Sequence, residues 1–402
     1  MKSSAINWSS LVLALQMLVP LSNASAEALP DIVWSTNTYI LGRPVISVAF
    51  SGDGTMLASC LARTTSVWRV SDKTILHTFS MRSEATSVSL SPDLTMLGAG
   101  SGGSGVGIWR LSDGTRILGS FTEDSDDAPY AATFSPDSRL FATASIESGL
   151  AAGPVQPPGL GISCCSDVEG SFDARFSPDG ATLAAGFSDN TAKLIRVSDG
   201  MRVRDLAGHS GKVTSVDFSP DGALLATAAT DGDARLWRVS DGNLERIIRG
   251  GGGSEYIVLG TVPLGRARFS ADGKSLLTLS NGAVRFWSVS DGRLLLTYTN
   301  LEAFCFAVSP DGKHFAYGTG SQYGTNAAVV LARMPLLFTD VSQADGKIIL
   351  GWSGGAGRYQ LQSTTNVATG PWQNVGAPTT AKGATNPVAS TIFYRVQSLP
   401  DP

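Results

Sequence analysis

A three-residue pattern, Ser-x-Asp, stands at Ser51, Ser91, Ser135, Ser177, Ser219, Ser270 and Ser309, in steps of 40, 44, 42, 42, 51 and 39 residues. A pattern that returns at such a period signals stacked copies of one supersecondary unit, none of which buries its apolar face alone. Two further markers keep phase with it. Trp68, Trp109, Trp237 and Trp287 follow 17 or 18 residues later, and Gly153 and Ile195 fill that slot in copies three and four. The pairs Ser71-Asp72, Ser112-Asp113, Ser198-Asp199, Ser240-Asp241 and Ser290-Asp291 come next.

The clearest copy is residues 208–248, GHSGKVTSVDFSPDGALLATAATDGDARLWRVSDGNLERII. Its residues 213–218 alternate and end at Ser-Pro-Asp-Gly, with Pro and Gly where a tight turn needs them. Residues 224–230 are small and apolar and end at Asp231-Gly232; residues 234–239 carry Trp237 and end at Ser-Asp-Gly; residues 243–248 make a fourth run. Four short strands in about 42 residues is the size of a propeller blade. Seven copies predict seven blades over residues 27–334.

These residues resemble WD40-repeat β-propellers over roughly three quarters of the chain. The resemblance implies an all-β fold and a structural hydrogen-bonded tetrad, which maps onto His209, Thr227, Asp231 and Trp237. Arg238 stands where the name-giving Asp of the family belongs, and the His position reads Leu41, Met81, Ser125, Asp167, Gly260 and Thr299 in the other copies. Copy three departs furthest: residues 150–156 take the Trp-bearing strand, residues 157–159 the next turn, and residues 160–165 the fourth strand. In such propellers an N-terminal strand usually completes the last blade. Residues 31–41 are placed for it, with residues 335–338 as competitor, and closure removes sheet edges prone to aggregation.

The ends differ in character. Residues 1–26 carry Lys2, an apolar run over residues 11–21 and Ala24-Ser25-Ala26, the layout of a Sec-type signal peptide cleaved after Ala26. Eleven apolar residues are too few to span a bilayer. A secreted or periplasmic bacterial protein is therefore expected. After Met334 the repeat stops, and residues 335–402 read as a small β-sandwich-like module, with strands at residues 347–352, 358–363, 372–375 and 392–397. The phrases Leu350-Gly351-Trp352-Ser353-Gly354-Gly355, Tyr359-Gln360-Leu361-Gln362-Ser363-Thr364-Thr365-Asn366 and Phe393-Tyr394-Arg395-Val396 look like a fibronectin-III-like module of exported bacterial proteins.

Catalytic and cofactor signals are weak. Gly351-Trp352-Ser353-Gly354-Gly355 spells a nucleophile elbow, but that elbow needs an α/β strand-to-helix turn and a downstream His, and no His follows His314. Gly273-Lys274-Ser275 resembles the end of a phosphate loop but belongs to the first turn of copy six. His77, His209 and His314 fall on three different strand types, so they do not converge on one metal. Asp124, Asp126 and Asp127 could hold calcium, but a plain solvated loop is the favoured reading, because no EF-type spacing or Gly is present. Of four cysteines, Cys60 and Cys305 fall on neighbouring blades and could bridge, while Cys164 and Cys165 read as small buried residues. No cofactor and no metal is expected. A formal charge of −4, one unit more negative without Lys2, argues against a nucleic-acid partner.

Function is read from where the copies differ. By the family's layout, first-to-second and third-to-fourth turns share one face, and they are nearly invariant here. The opposite face carries the insertions at residues 122–129, 250–264 and 318–327, and per-repeat insertions map to the binding face. That face has more acids (Glu84, Glu123, Asp124, Asp126, Asp127, Glu147, Asp167, Glu169, Asp189, Asp231, Asp233, Glu255, Glu302) than bases (Arg43, Arg63, Arg82, Lys212, Arg249). The leading expectation is a non-catalytic scaffold binding a protein partner through Glu123, Asp124, Asp126, Asp127, Tyr256 and Tyr323. A propeller-fold hydrolase or lyase, and a glycan-binding protein stacking sugars on Tyr256 and Tyr323, are the alternatives.

Overall fold

The computed structural model describes residues 29–36, 43–102, 105–118, 129–155, 162–164, 170–251, 266–320, 327–344, 347–354, 358–364, 373–375, 377–379, 381, 383–387 and 393–399. Strands are the only regular elements among them, and no helix is long and apolar enough to cross a membrane. Seven four-stranded antiparallel sheets follow one another. The first comprises Val45–Phe50, Met56–Leu61, Thr64–Arg69 and Ile75–Ser80, and the second Ala85–Leu90, Met96–Ser101, Gly105–Arg110 and Arg116–Leu118. Pro129–Phe134, Leu140–Ser145, Gly149–Pro154 and Ile162–Cys164 form the third; Ser171–Phe176, Thr182–Phe187, Thr191–Arg196 and Arg202–Ala207 form the fourth. The fifth is Val213–Phe218, Leu224–Ala229, Asp233–Arg238 and Leu244–Arg249, and the sixth Arg266–Phe269, Ser275–Ser280, Ala283–Ser288 and Leu294–Tyr298.

The seventh sheet is built from both ends of the repeat region. Ala303–Val308, His314–Thr319 and Val329–Arg333 supply three strands, and Ile32–Ser35 pairs antiparallel with Val329–Arg333 as the fourth. Arg333 adds an ion pair to Asp31 at 2.8 Å. Leu337–Ala344, the rival for that edge, pairs instead with Lys347–Ser353. The first strand of each sheet touches the first strand of the next, from the first sheet round to the seventh and back. The apolar side chains make the same circuit, with one buried cluster at each of the seven sheet-to-sheet junctions. Leu194 and Leu206 of the fourth sheet, for example, meet Val213, Phe218 and Trp237 of the fifth. Alternation along each strand sends one set of side chains toward the preceding sheet and the other toward the following one, so the inner strands are buried on both faces while the outer strands stay largely exposed. The fold is a β-propeller.

The recurring Ser-x-Asp has a direct physical reason. In all seven sheets the Ser hydroxyl donates to the Asp carboxylate at 2.5–2.7 Å. It also accepts the amide five residues on at 2.9 Å. The carboxylate in turn accepts the amide two residues after itself, as Arg139 N–H does for Asp137 at 3.1 Å. Each turn thus satisfies its own polar groups, which short Ser and Asp side chains do better than any other. Hydrogen bonds from Ser135, Ser177 and Ser219 hold the carboxyls of Asp137, Asp179 and Asp221 below the usual aspartate range.

The residue after the Asp adopts positive φ every time, as Gly in five sheets but as Leu94 (φ 64°) and Ser138 (φ 62°) in the second and third. A side chain there is strained by the left-handed backbone. Leu94→Gly is expected to stabilise the fold by roughly 0.5–1 kcal/mol, the strain relieved less the entropy of the added glycine. The urea midpoint checks it; a lower midpoint than the parent would mean that Leu94 packing outweighs backbone strain.

Beyond the propeller lie two three-stranded sheets. Leu337–Ala344, Lys347–Ser353 and Gly383–Pro387 make one; Gln373–Asn374, Arg358–Thr364 and Phe393–Leu399 make the other. Leu350 and Trp352 of the first pack on Tyr359 and Leu361 of the second. The strand Gly383–Pro387 is not foreseen from sequence, because Gly-Ala-Thr-Asn-Pro reads as a turn. As an edge strand it tolerates the terminal Pro, whose missing N–H costs no ladder bond there.

Candidate functional site

Two faces are distinguished by backbone bonds. On one, the third-to-fourth turn of every sheet donates to the first-to-second turn: Val70 to Thr55, Leu111 to Thr95, Val155 to Arg139, Val197 to Ala181, Val239 to Ala223, Val289 to Lys274 and Met334 to Lys313. On the other, second-to-third turns bond the segments linking one sheet to the next, as in Met81 N–H to Arg63 O, Thr230 N–H to Lys212 O and Ser188 N–H to Gly170 O. The C-terminal sheets sit on the turn face. Ser353 donates to Asp272 at 3.0 Å, Ser288 donates to Thr339 O at 3.3 Å, and Leu337 joins the cluster between the sixth and seventh sheets. This disposes of the elbow-like serine: Ser353 is buried at a strand end and bonded to an aspartate of the propeller.

The linking face holds fewer free acids than its sequence implies. Glu84 pairs with Arg43 at 2.6 Å, Asp189 with the buried Lys193 at 2.6 Å, and Asp231 with His209 at 2.8 Å. Glu123, Asp124, Asp126, Asp127, Tyr256 and Tyr323 all lie outside the described residues, as do residues 1–28 with their leader-like pattern. Among the described residues no group of three or more His, Cys, Asp or Glu side chains could hold a metal ion. Cys60 and Cys305 are free, buried thiols, and burial pushes them up to about 12 and about 11. The bridge considered from sequence is therefore not formed. Cys164 lies on the outer strand of the third sheet; its side chain and Cys165 fall outside the described residues.

In the fifth sheet the structure joins four residues in one relay. Trp237 Nε1–H donates to Thr227 Oγ1 at 2.9 Å, His209 Nε2 meets that oxygen at 2.8 Å, and His209 Nδ1 meets Asp231 Oδ2 at 2.8 Å. The Asp231 carboxylate can only accept, so Nδ1 carries the imidazole proton, and in the neutral ring Nε2 accepts from the Thr227 hydroxyl, whose oxygen accepts the indole N–H. Burial lowers the pKa of His209, outweighing the pull of Asp231. The His209 side chain is fully covered. A neutral ring sealed from solvent fixes the segment from His209 to Trp237 and has no route to a substrate proton. The first and sixth sheets keep half of the device: Trp68 donates to Ser59 and Trp287 to Thr278, both at 2.8 Å.

A second constellation lies where the innermost strands meet. The residues two and four positions before each Ser-x-Asp serine lie on one side of their inner strand. In the first, second, third and seventh sheets they are Ala49 and Ser47, Ser89 and Ser87, Thr133 and Ala131, and Ala307 and Cys305. In the fourth, fifth and sixth they are Arg175 and Asp173, Asp217 and Ser215, and Arg268 and Arg266. Every charge at these positions therefore falls on three consecutive sheets.

Asp173 Oδ2 accepts from Arg268 Nη2 at 3.1 Å, Ser215 Oγ at 3.1 Å and Val216 N–H at 3.2 Å. Arg268 reaches back across the fifth sheet, donating also to Ser215 Oγ at 2.9 Å and Val216 O at 3.1 Å. Both side chains are more than nine-tenths buried. Burial alone would raise the Asp173 carboxyl; Arg268, Arg175 and Arg266 outweigh it and hold it low. Asp217 accepts Phe269 N–H at 2.8 Å, yet burial dominates there and raises its pKa. Reading each copy by its own motifs misses this cluster. Aligning the seven copies on their serines and comparing the two inner positions displays it.

The family model described as "WD domain, G-beta repeat" matches residues 160–196 and 200–238. Those two stretches are WD40-like repeats. Each match begins two residues ahead of the outer strand of one sheet and ends on the third strand of the next, so a WD40 repeat in the sequence straddles two sheets. The same offset explains why Ile32–Ser35, ahead of the first inner strand, is free to serve the seventh sheet. No curated protein matches the chain.

Proposed function

We propose that this protein is an exported, non-catalytic interaction scaffold that binds a protein partner through the linking face of its propeller. The observation that carries the reading is the use of the two faces. Seven self-bonded turns and the C-terminal sheets occupy the turn face, leaving the linking face, with its insertions at residues 122–129, 250–264 and 318–327, for recognition. WD40 propellers ordinarily work as scaffolds, and the relay and the Asp173–Arg268 pair are both consumed by bonds within the fold. Residues 335–402 serve as a fibronectin-III-like attachment or spacing module, and residues 1–26 direct export and are removed. A basic partner segment suits the acids at Glu123, Asp124, Asp126 and Asp127, with association weakened by salt as charges are screened over about 8–10 Å.

The test uses the mature full-length protein as bait for envelope-extract proteins. Shortening residues 250–264 and changing Asp124, Asp126 and Asp127 to Asn should abolish capture of the partner while the thermal transition persists. Capture that survives this variant but fails when the Ser-Asp-Gly turns are altered would assign binding to the turn face instead.

A further inference from the structure

Within the inner-strand cluster, Asp173 and Arg268 satisfy one another, and Asp217 is tied to the backbone of the sixth sheet. Arg175 and Arg266 are not matched in this way. Arg175 keeps 34% of its side-chain surface, and its nearest carboxylate oxygen, Asp173 Oδ1, stands 3.9 Å from Nε, beyond hydrogen-bond reach. That Nε is itself buried and has no hydrogen-bond partner. Arg266 begins the sixth inner strand and is partly open to solvent, and among the described residues its side chain makes no hydrogen bond or ion pair.

Strand geometry shows where the two meet. Arg266 lies two positions before Arg268 on the same side of the sixth inner strand, and the Arg268 guanidinium reaches Asp173, two positions before Arg175 on the fourth. The inner strands converge on the propeller axis, so these groups gather there. Burial, then the neighbouring Arg268 and Arg266, bring Arg175 down to about 10 against the opposing attraction of Asp173 and Asp217. Three guanidinium groups thus face two carboxylates at the axis. Like charges confined in protein repel far more than in water, and planar guanidinium forks pair with oxyanions through two parallel hydrogen bonds.

We propose that the axis of the propeller, at the level of the fourth to sixth sheets, binds a small oxyanion, a carboxylate or a phosphate, between Arg175 and Arg266. The anion would supply the missing acceptor for Arg175 Nε and the missing counter-charge for Arg266. The site is independent of the linking face and needs no partner protein.

Thermal unfolding of the full chain in inorganic phosphate, acetate or succinate, against chloride at equal ionic strength and pH 7, tests it. A saturable rise of the midpoint by about 2 °C or more is expected from at least one of the three oxyanions, since a ligand of the native state stabilises by mass action. Phosphate acting alone marks a phosphate site, and a carboxylate acting alone or alongside it marks a more general one. Arg266→Gln breaks no bond of the fold and should remove the shift; Arg175→Gln should do the same, while Arg139→Gln, on the exposed turn face, should retain it. Calorimetric titration of the effective anion into folded Arg266→Gln gives a second reading that does not depend on unfolding. The absence of any shift in the parent, or an equal shift in parent and Arg266→Gln, overturns the proposal.

Discussion

Asp173→Ala is expected to destabilise the propeller by about 3–5 kcal/mol, the cost of leaving a buried charge without its partner. Arg268 would retain only Ser215 Oγ and two backbone carbonyls as acceptors, and none of them carries a charge. Val216 N–H would lose its acceptor as well. The loss falls on three sheets at once, because Arg268 reaches over the fifth sheet to the fourth. The double variant Asp173→Ala/Arg268→Met should recover a large part of the loss, since apolar replacement of a whole buried pair is often near neutral. Denaturant unfolding followed by tryptophan fluorescence measures both. An Asp173→Ala cost under about 1 kcal/mol, the range of exposed pairs such as Arg69–Asp72, would show that water reaches the cluster freely.

Trp237→Ala should cost a similar amount, about 3–5 kcal/mol, by the ordinary scale for truncating a buried tryptophan. Trp237 is 3% exposed and packs against Leu206, Val213 and Phe218 across the junction of the fourth and fifth sheets. Its removal opens a cavity there and takes the donor from Thr227, which ends the relay to His209. Trp352 is as deeply buried but packs with Leu350, Tyr359 and Leu361 in the C-terminal sheets, and its indole N–H has no partner. Trp352→Ala should therefore lower a transition of the C-terminal sheets and leave that of the propeller in place. Calorimetry of the two variants decides it: if both depress the propeller transition equally, the propeller and the C-terminal sheets unfold as one unit.

How much of this was legible depends on the distance over which each feature is decided. The Ser-x-Asp turn closes within five residues, and the strand pattern on either side is set by alternation, so both are readable one copy at a time. His209, Thr227, Asp231 and Trp237 lie within one repeat, onto which the resemblance to WD40 propellers maps the tetrad. The outer strand of the third sheet, Ile162–Cys164, sits near its expected place despite a copy with no tryptophan, because period carries position where motif fails. Gly383–Pro387 went unread because an edge strand is specified by its neighbour, Lys347–Ser353, more than by its own residues.

The amino-acid sequence by itself determined the period, the strands, the turn chemistry and the repeat family, all of which rest on hydrogen bonds and side-chain alternation over a few residues. Only the tertiary structure decided what those copies do to one another. Closure of the ring hands Ile32–Ser35 to the seventh sheet, 302 residues from Asp31 to Arg333 along the chain. It brings Arg268 to Asp173 across 95 residues. That contact follows from the stacking of sheets around a common line, and burial there strengthens the interaction between charges that a single strand would leave in water.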